Sequence, residues 1–548
     1  MTTLARMRIL LCLCLVWSAF ARSVAVTYDY DPDSFRKLPL NVPDGTTDVR
    51  GILIVGNGAG GDSRGSATNT ELVAFARRIG FVVLATGFWG NFADSGSEFR
   101  LFESSLDYYA NLTGYAELSV APWLPMGHSN GGQMSYGLNV LRPEKVIGFI
   151  TSKGCCYNNF LPDIEALRTP GMLIAGENDT QFRRDNIKRL FDLNRPRGAL
   201  WSWVEEENTG HEEANSQQLK LSFLAECYRL RYPRDQSPRD GPVQLKRLNE
   251  WEGWLADQTT WNSGFTAIYR YDQFSGDPRS IGWVPTERIA HLYRSFSSYN
   301  RLTSIITGNA GNPVTAPATL TYRVDLTGKS WEKVEFYEGA TKLSEATPAE
   351  GSLPQISLPV QTGGLYTFHA VVTVSGEAKS PTMLRHAFVT GPAALTPFET
   401  WAALNFPSDQ RARSSTPLND GIPNVVRWAF GLSSPAMSER SRLPVPVGAA
   451  ELINGVPYRV FQYTTETAAR DADASFTALL SEDLVDWTPA ENNPAAGVVV
   501  ERTGDLIRVK ALPLSTLFLK VAVDDPCRGE RPRERVRSRF QLATPLVS

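Results

Sequence analysis

The stretch Ala121-Pro-Trp-Leu-Pro-Met-Gly-His-Ser129-Asn-Gly-Gly-Gln-Met-Ser-Tyr136 decides the fold, because it predicts a short apolar strand, a sharp turn and a helix. Ser129 lies at the turn, between Gly127 and Gly131, in the pattern G-x-S-x-G. The turn needs both glycines, since a Cβ there would clash with the neighbouring strand and helix. The serine oxygen is therefore pushed out of the sheet, towards the free N–H groups and positive dipole end of the helix.

The same pattern occurs a second time, at Gly61-Asp-Ser63-Arg-Gly65. This copy follows the nearest predicted strand, 51–55, only after several residues, and the next helical pattern starts near Thr70. A strand–turn–helix context is what gives the motif its meaning. We therefore predict that Ser63 is a loop serine and that Ser129 is the nucleophile.

Strand-like and helix-like segments alternate over residues 26–230, which predicts an α/β fold with a doubly wound, mainly parallel sheet covered on both faces. The predicted strands are 51–55, 81–85, 123–126, 146–151, 171–175 and 200–204. The predicted helices are 71–78, 99–110, 133–141, 180–191 and 214–230. Ligands of such sheets bind beyond the carboxyl ends of the strands, so the polar residues found there are the candidates for chemistry.

Two acidic residues follow the predicted strand 171–175, in the sequence Gly176-Glu-Asn-Asp-Thr180. We predict that Asp179 is the carboxylate that orients a catalytic histidine. Asp179 could instead cap the following helix, because aspartate is also favoured there. Glu177 is the nearest rival, since the loop could present either carboxylate.

His211 is the predicted general base, and it is found by elimination among five histidines. His128 lies inside the turn beside Ser129, and the other three lie beyond the alternating region, at His291, His369 and His386. His211 alone remains in a glycine-containing loop after a predicted strand, 200–204.

Ser129, Asp179 and His211 thus follow three different strands in the order nucleophile, acid, histidine. In this order, the sequence over residues 26–230 resembles the α/β-hydrolase family, and within it the secreted esterase and polyester-depolymerase branches. The resemblance implies that these three residues are catalytic. It also implies an oxyanion hole made by the N–H groups of Ala59, or alternatively Gly58, and Asn130.

The loop Gly56-Asn-Gly-Ala-Gly-Gly61 also fits G-x-G-x-x-G, which is typical of dinucleotide-binding sites. That motif should open a helix at once and be followed by an acid at the end of the next strand. Here residues 62–68 intervene, and the next strand ends Leu84-Ala-Thr-Gly87 without an acid. We therefore predict no dinucleotide and no other cofactor, and the loop is interpreted as the oxyanion loop.

Aromatic residues follow two predicted strands, at Phe88 and Trp89 and at Tyr157. Aromatic rings at strand ends can stack on a sugar or an aromatic acid, so these residues are predicted to bind substrate. A position in the core would explain them equally well.

The rest of the chain changes character. Residues 26–300 form the predicted hydrolase domain, with an extension from about residue 232 in which 251–257 and 289–296 look helical. Residues 303–390 alternate at period two and resemble an immunoglobulin-like β-sandwich, with His369 on its solvent-facing side. The pattern of residues 397–525 predicts a β-rich module, and residues 526–548 form an arginine-rich tail. Residues 418–432 resemble a repeat found near the C-termini of secreted bacterial enzymes, in which an Asp-Gly-rich turn precedes a short helix. Around Asp420-Gly421 this copy lacks most of the acidic residues of that turn, so no Ca²⁺ or other metal is predicted.

The N-terminus carries Arg6 and Arg8, an apolar run over 9–20 and small residues around position 21, which predicts a signal peptide over 1–21 and a secreted protein. No later apolar run reaches the length of a membrane span. A formal net charge of −3 makes nucleic acid a poor partner. After removal of the signal peptide four cysteines would remain, Cys155, Cys156, Cys227 and Cys527. Either one of the adjacent pair forms a disulfide with Cys227, or the cysteines are buried thiols.

The sequence therefore predicts a secreted serine esterase that acts through an acyl-enzyme. Acetyl or feruloyl esters on polysaccharides are the expected substrates, so the partner would be an ester, free or polymer-linked. A polyester depolymerase is the close alternative, and a peptidase or acyltransferase would use the same three residues. A non-catalytic carbohydrate-binding or adhesion protein on the same scaffold is the alternative from another class. The sequence does not decide the oligomeric state.

Overall fold

Strands and helices alternate between residues 26 and 231 in the computed structural model of the protein. The strands are β1 Val26–Tyr28, β2 Leu40–Val42, β3 Gly51–Gly56, β4 Phe81–Thr86, β5 Trp123–His128, β6 Phe149–Ser152, β7 Gly171–Gly176 and β8 Trp201–Glu206. The helices are α1 Arg64–Ala67, α2 Thr70–Ile79, α3 Gly96–Thr113, α4 Asn130–Leu141, α5 Ile164–Leu167, α6 Gln181–Asn194 and α7 Gln217–Arg231.

The structure describes residues 26–28, 38–59, 61, 64–86, 96–233, 236–260, 264–308, 313–348 and 354–391. Beyond these it describes the shorter runs 401–402, 405–407, 410, 415–416, 418, 422–432, 445–465, 475–481, 488–490, 498–503, 505–512 and 518–524. Several predictions concern residues outside these ranges: the signal peptide over 1–21, the loop serine Ser63, Phe88, Trp89, the Asp420-Gly421 turn, Cys527 and the arginine-rich tail. No helix within the described ranges is long and apolar enough to cross a bilayer.

The eight strands form one sheet in the order β1-β2-β4-β3-β5-β6-β7-β8. Strands β3 to β8 pair in parallel, whereas β1 and β2 form an antiparallel edge against β4. The chain leaves β3 for β4 on one side and returns to β5 on the other, so the strand order reverses between β3 and β5. Ligands of open parallel sheets bind at this switch point, and Ser129 follows β5 directly.

Helices cover both faces of the sheet, which explains why its parallel strands are almost continuously apolar. Adjacent residues on β6 show the two faces: Phe149 belongs to one hydrophobic cluster with Tyr136 and Trp201, and Ile150 to the other with Met172 and Leu224. A parallel sheet with helices on both sides is the arrangement that the sequence predicts.

Three glycines allow β3, β5 and α4 to approach each other at the turn. A Cβ at Gly131 would lie 2.1 Å from the backbone carbon of Gly56, and one at Gly127 would lie 2.3 Å from the backbone of Gly131. No side chain fits at such distances without moving the backbone. The glycines of the motif are therefore explained by close packing behind Ser129.

We expect Gly131→Ala to lower the free energy of unfolding by about 3 kcal/mol, because the methyl group must displace backbone atoms. Urea denaturation followed by tryptophan fluorescence measures this. Gly65→Ala is the control, since a Cβ at Gly65 meets no atom within 4 Å, and we expect it to change stability by less than about 1 kcal/mol. Equal stability of the two variants would contradict the close-packing explanation.

Residues 236–300 contain a small antiparallel sheet in the order β10-β9-β11 and one long helix. These elements are β9 Trp254–Asp257, β10 Ala267–Arg270, β11 Gly282–Val284 and α8 Glu287–Ser297. The predicted helix over 289–296 is confirmed, but the one over 251–257 is wrong, because β9 is the central strand of this sheet. Leu255 and Trp283 pack in its own hydrophobic cluster, so pairing and burial override the helical pattern.

Residues 304–390 form two sheets, in the orders β12-β14-β17 and β13-β20-β18-β15-β16, with β19 paired to β18. The strands are β12 Ser304–Thr307, β13 Val314–Thr315, β14 Ala318–Val324, β15 Trp331–Glu338, β16 Thr341–Ala346, β17 Gln355–Val360, β18 Gly364–Val374, β19 Ser380–Pro381 and β20 Arg385–Thr390. Alternate residues such as Tyr322, Phe336 and Phe368 share one hydrophobic cluster.

The prediction that His369 faces solvent is wrong, because its side chain is 1% exposed. Its Nε2 donates to the carbonyl of Gly339 at 2.8 Å, and its ring stacks on Tyr337. His291 of α8 lies 6.4 Å from His369, between ring centres. The second face of β18 is therefore covered by the helix that precedes the β-sheets.

The chain divides into two compact units, residues 1–394 and 395–548. The second contains α9 Asn424–Phe430 and two sheets, β21-β22-β26-β25 and β24-β23-β27. Its strands are β21 Val445–Ile453, β22 Val456–Thr464, β23 Ser475–Ser481, β24 Thr488–Pro489, β25 Val498–Thr503, β26 Leu506–Ala511 and β27 Phe518–Asp524. Trp428 and Phe430 of the helix pack with Tyr463 in the core of this unit.

Candidate active site

Ser129 has the backbone conformation of a strained turn. Its φ is 55° and its ψ is −118°, although it is not glycine, and such angles persist only where the surrounding structure enforces them. Two backbone hydrogen bonds do so: the Ser129 N–H donates to the carbonyl of Ser152 at 2.8 Å, and the Gln133 N–H donates to the carbonyl of Ser129 at 3.1 Å. The turn holds the side chain above the carboxyl ends of β5 and β6.

The structure brings Ser129, His211 and Asp179 together. His211 Nε2 lies 3.0 Å from Ser129 Oγ, and His211 Nδ1 lies 2.8 Å from Asp179 Oδ2. With a carboxylate at Nδ1, that nitrogen carries the proton and donates it, which leaves Nε2 free to accept the serine proton. The Asp179 side chain is buried and the His211 side chain is 38% exposed. The carboxylate end of this hydrogen-bond chain is therefore buried, whereas the histidine is accessible to solvent.

Asp179 uses its two oxygens for two purposes. Oδ2 faces His211, and Oδ1 accepts a hydrogen bond from the Thr180 N–H at 2.7 Å, just before helix α6. Glu177, the rival carboxylate, faces elsewhere: it accepts from the Asn208 N–H at 2.7 Å and from the hydroxyl of Tyr299. Asp179 is therefore the residue placed to orient the histidine.

The acid loop and the histidine loop are joined by backbone hydrogen bonds. The Asn178 N–H donates to the carbonyl of Thr209 at 2.8 Å, and the Asn208 N–H donates to the Glu177 carboxylate. A Cβ at Gly176 would lie 2.0 Å from the carbonyl oxygen of Gly210, so the two loops touch. Fixing these loops to each other fixes the distance between acid and histidine.

His128 is a second histidine in the site, and its role was not visible in the sequence. Its Nε2 donates to the backbone carbonyl of His211, and the two rings lie 4.9 Å apart between centres. Burial lowers the pKa of His128, which favours the neutral ring that can donate from one nitrogen. The residue before Ser129 therefore holds the backbone of the histidine loop.

A fully buried ion pair contacts the backbone of the loop that contains His211. Lys153 Nζ lies 2.9 Å from a carboxylate oxygen of Glu206, and neither side chain is accessible to solvent. The ammonium also donates to the carbonyl of Glu212, and the carboxylate accepts from the Asn215 N–H. Because Lys153 follows β6 and Glu206 ends β8, the pair ties the histidine loop to the sheet. Sequence reasoning missed both residues.

We expect Glu206→Gln to lower the free energy of unfolding by about 3–5 kcal/mol, because it leaves the Lys153 ammonium buried without its counter-charge. Glu103→Gln is the matched control: Glu103 and its partner Arg142 are both partly exposed, and such pairs contribute less than about 1 kcal/mol. Urea denaturation of the three proteins measures both effects. A Glu206→Gln protein as stable as the control would show that the buried pair does not hold this region.

Gly58 of the predicted oxyanion loop lies next to Ser129. A Cβ at Gly58 would lie 3.5 Å from both Ser129 Cβ and His128 Nδ1, and the carbonyl of Asn57 accepts from the Gly131 N–H at 3.0 Å. Asn130 begins α4, so its N–H belongs to the free first turn of that helix. Ala59 is the next residue of the same loop. The assignment of donors to Ala59 and Asn130 stays a prediction.

Tyr157 lies in the core and does not line the cleft, so its predicted role in substrate binding is corrected. Its side chain is 4% exposed, and its hydroxyl shares a 2.7 Å hydrogen bond with Thr151 Oγ1. Its ring packs edge-on against Tyr136 and Phe160. The core alternative applies because Tyr157 belongs to the hydrophobic cluster that contains Phe149 and Trp201. Phe88 and Trp89 lie outside the described residues.

The cysteines of the described residues are thiols. Cys227 is buried in α7 beside Gly148, and no bond joins it to Cys155 or Cys156. The predicted example of a bridge to Cys227 is therefore not present. Within the described ranges, no group of three His, Cys, Asp or Glu side chains could hold a metal ion.

Known proteins match this chain only in part. No protein-family profile matches it, and a search of curated proteins gives no match. A poly(aspartic acid) hydrolase from Sphingomonas sp. KT-1 is 17% identical, with a TM-score of 0.29, over 37% of this chain and 99% of that one. An S-formylglutathione hydrolase from Staphylococcus aureus is 13% identical, with a TM-score of 0.29, over 38% of this chain and 99% of that one. A poly(3-hydroxybutyrate) depolymerase from Bordetella parapertussis is 14% identical, with a TM-score of 0.27, over 39% of this chain and 92% of that one.

Proposed function

We propose that the protein is a serine hydrolase of carboxylic esters that works through an acyl-enzyme. One observation carries the proposal: a continuous hydrogen-bond chain runs from Asp179 through His211 to Ser129, with links of 2.8 and 3.0 Å. Nucleophile, base and orienting acid within hydrogen-bond reach define this kind of site.

The chemistry follows from the protonation states of the chain. His211 Nε2 takes the Ser129 proton as the hydroxyl oxygen attacks the ester carbonyl, and the Asp179 carboxylate stabilises the imidazolium that forms. The carbonyl oxygen gains negative charge at the start of α4, where the N–H groups of Asn130 and Ala59 are proposed to bind it. The imidazolium then gives its proton to the leaving alcohol. Water repeats the cycle and releases the acid.

We propose esters of extracellular polymers as substrates, acetyl or feruloyl esters on polysaccharides first. The support is the predicted signal peptide over 1–21 and the β-rich segments after residue 303. Export and substrate class are inferred from this organisation alone, because an α/β scaffold does not specify a substrate.

Turnover of two kinds of substrate tests this proposal. Nitrophenyl esters of increasing chain length report the acyl group accepted, and we expect acetate and butyrate to be hydrolysed. Release of acetic or ferulic acid from an esterified polysaccharide is then compared with erosion of a polyhydroxyalkanoate film. Acid release with an intact film supports the polysaccharide ester, whereas the reverse result supports a polyester depolymerase. Hydrolysis of no ester by folded protein would contradict the proposed activity.

A further inference from the structure

Two adjacent cysteines follow strand β6 at the edge of the site. Cys155 is 6% exposed and Cys156 is exposed, and their Sγ atoms lie 2.8 Å apart, in hydrogen-bond contact. The proposed ester hydrolysis uses neither thiol. An accessible thiol in contact with a second, buried one is the arrangement of a reactive dithiol.

The pair lies between the nucleophile helix and the acid. On one side, Gln133 Nε2 donates to the carbonyl of Cys156 at 3.3 Å, and the Cys155 thiol lies 3.8 Å from Gln133 Oε1. On the other side, Arg183 Nη1 donates to Cys155 Sγ at 3.4 Å, and Arg183 Nε lies 3.8 Å from Asp179 Oδ1. A change at the two sulfurs therefore reaches the first turn of α4 and the orienting carboxylate through one side chain each.

We infer that Cys155 and Cys156 form a dithiol modification site that small-molecule disulfides close reversibly into a Cys155–Cys156 disulfide, and that closing it lowers the esterase activity. The second half of this inference rests on the proposed function, but the first half does not.

Closure proceeds by two exchange steps. The exposed Cys156 thiolate attacks a disulfide RSSR, which forms Cys156–S–SR and releases one RS⁻. The Cys155 thiolate then attacks Cys156 Sγ, which forms the Cys155–Cys156 bond and releases the second RS⁻. The two cysteines lose two protons and two electrons, and RSSR is reduced to two RSH. Burial raises the pKa of Cys155 to about 11, so it acts as the second, resolving thiol.

The closed form is expected to be easily reduced. Cα atoms of consecutive residues are about 3.8 Å apart across a trans peptide, whereas disulfides usually join Cα atoms about 4.4–6.8 Å apart. A bond between neighbours is therefore strained, and strained disulfides have the more oxidising potentials of labile, regulatory bonds. Such a pair suits a reversible modification better than a permanent cross-link.

Peptide mass spectrometry tests the modification without reference to activity. The full-length protein is incubated folded with oxidised glutathione, quenched with N-ethylmaleimide and digested with trypsin. The peptide 154–168 contains Cys155 and Cys156 and no other cysteine. We expect it to appear two hydrogens lighter than the dithiol form, and dithiothreitol to restore the dithiol. A peptide alkylated at both cysteines, or carrying glutathione without ring closure, overturns the inference.

Activity of the same samples tests the consequence. We expect closure to lower kcat/KM for a nitrophenyl ester about fivefold, because Arg183 loses its contact beside Asp179, and reduction to restore it. We expect Cys155→Ser and Cys156→Ser to keep basal activity within about twofold and to lose the fall in kcat/KM on treatment with oxidised glutathione. Cys227→Ser is expected to keep that fall. Ring closure with unchanged activity overturns the regulatory half. Ring closure in a protein that hydrolyses no ester leaves the site standing and refutes the proposed function.

Discussion

Ser129→Ala is expected to lower kcat/KM for a short nitrophenyl ester by about 10⁴-fold or more, because it removes the hydroxyl that forms the acyl-enzyme. KM should change little, since the methyl group leaves the cleft intact. The change is small in volume and lies where the backbone is held by hydrogen bonds to Ser152 and Gln133. The measurement is initial rates at several ester concentrations, for protein shown to be folded by circular dichroism.

Ser63→Ala is the matched control for this experiment, since Ser63 lies in the other copy of the motif. We expect that variant to keep the parental rate. Hydrolysis by Ser129→Ala at the parental rate would exclude Ser129 as the nucleophile, and a loss confined to Ser63→Ala would assign that role to the other copy of the motif.

Asp179→Asn is expected to lower kcat by about 10⁴-fold with the fold unchanged. The amide can donate a hydrogen bond to His211 Nδ1, which would favour the tautomer whose proton sits on Nε2. That tautomer cannot accept the proton of Ser129 Oγ. Steady-state kinetics over pH 6–9 would show the loss.

Glu177→Gln separates this role from the effect of any lost carboxylate in the same loop. Glu177 contacts Asn208 and Tyr299, so we expect its replacement to cost less than about tenfold in kcat. If the two variants were equally impaired, the distance of 2.8 Å between Asp179 and His211 would have no special catalytic meaning.

The parallel sheet and the three aligned residues were predictable because their signals are local. Ser129 is defined by its flanking glycines, and His211 by its loop at a strand end. Asp179 and Glu177 carry the same local signal, so only the folded loop separates them: one carboxylate faces the histidine and the other faces Asn208. Which acid orients the base is a property of tertiary structure.

Other features depend on pairs of residues far apart in the chain. Lys153 and Glu206 are 53 residues apart and meet only because β6 and β8 end on the same edge of the sheet. His369 was predicted to face solvent from the alternation of β18, but α8 covers that face. Tyr157 is an aromatic residue that follows a strand, as cleft residues often do, but in the folded chain it is buried. No local pattern contains this information.

Labelling with a fluorophosphonate probe tests the central claim most directly, because the probe reacts only with a serine activated by its histidine. Trypsin separates the candidates, since Ser129 lies in peptide 101–145 and Ser63 in peptide 51–64. We predict that folded protein is labelled in peptide 101–145, at Ser129, and that heat-denatured protein is not. No label on folded protein, or label in peptide 51–64, would contradict the assignment of Ser129, His211 and Asp179 as a catalytic unit.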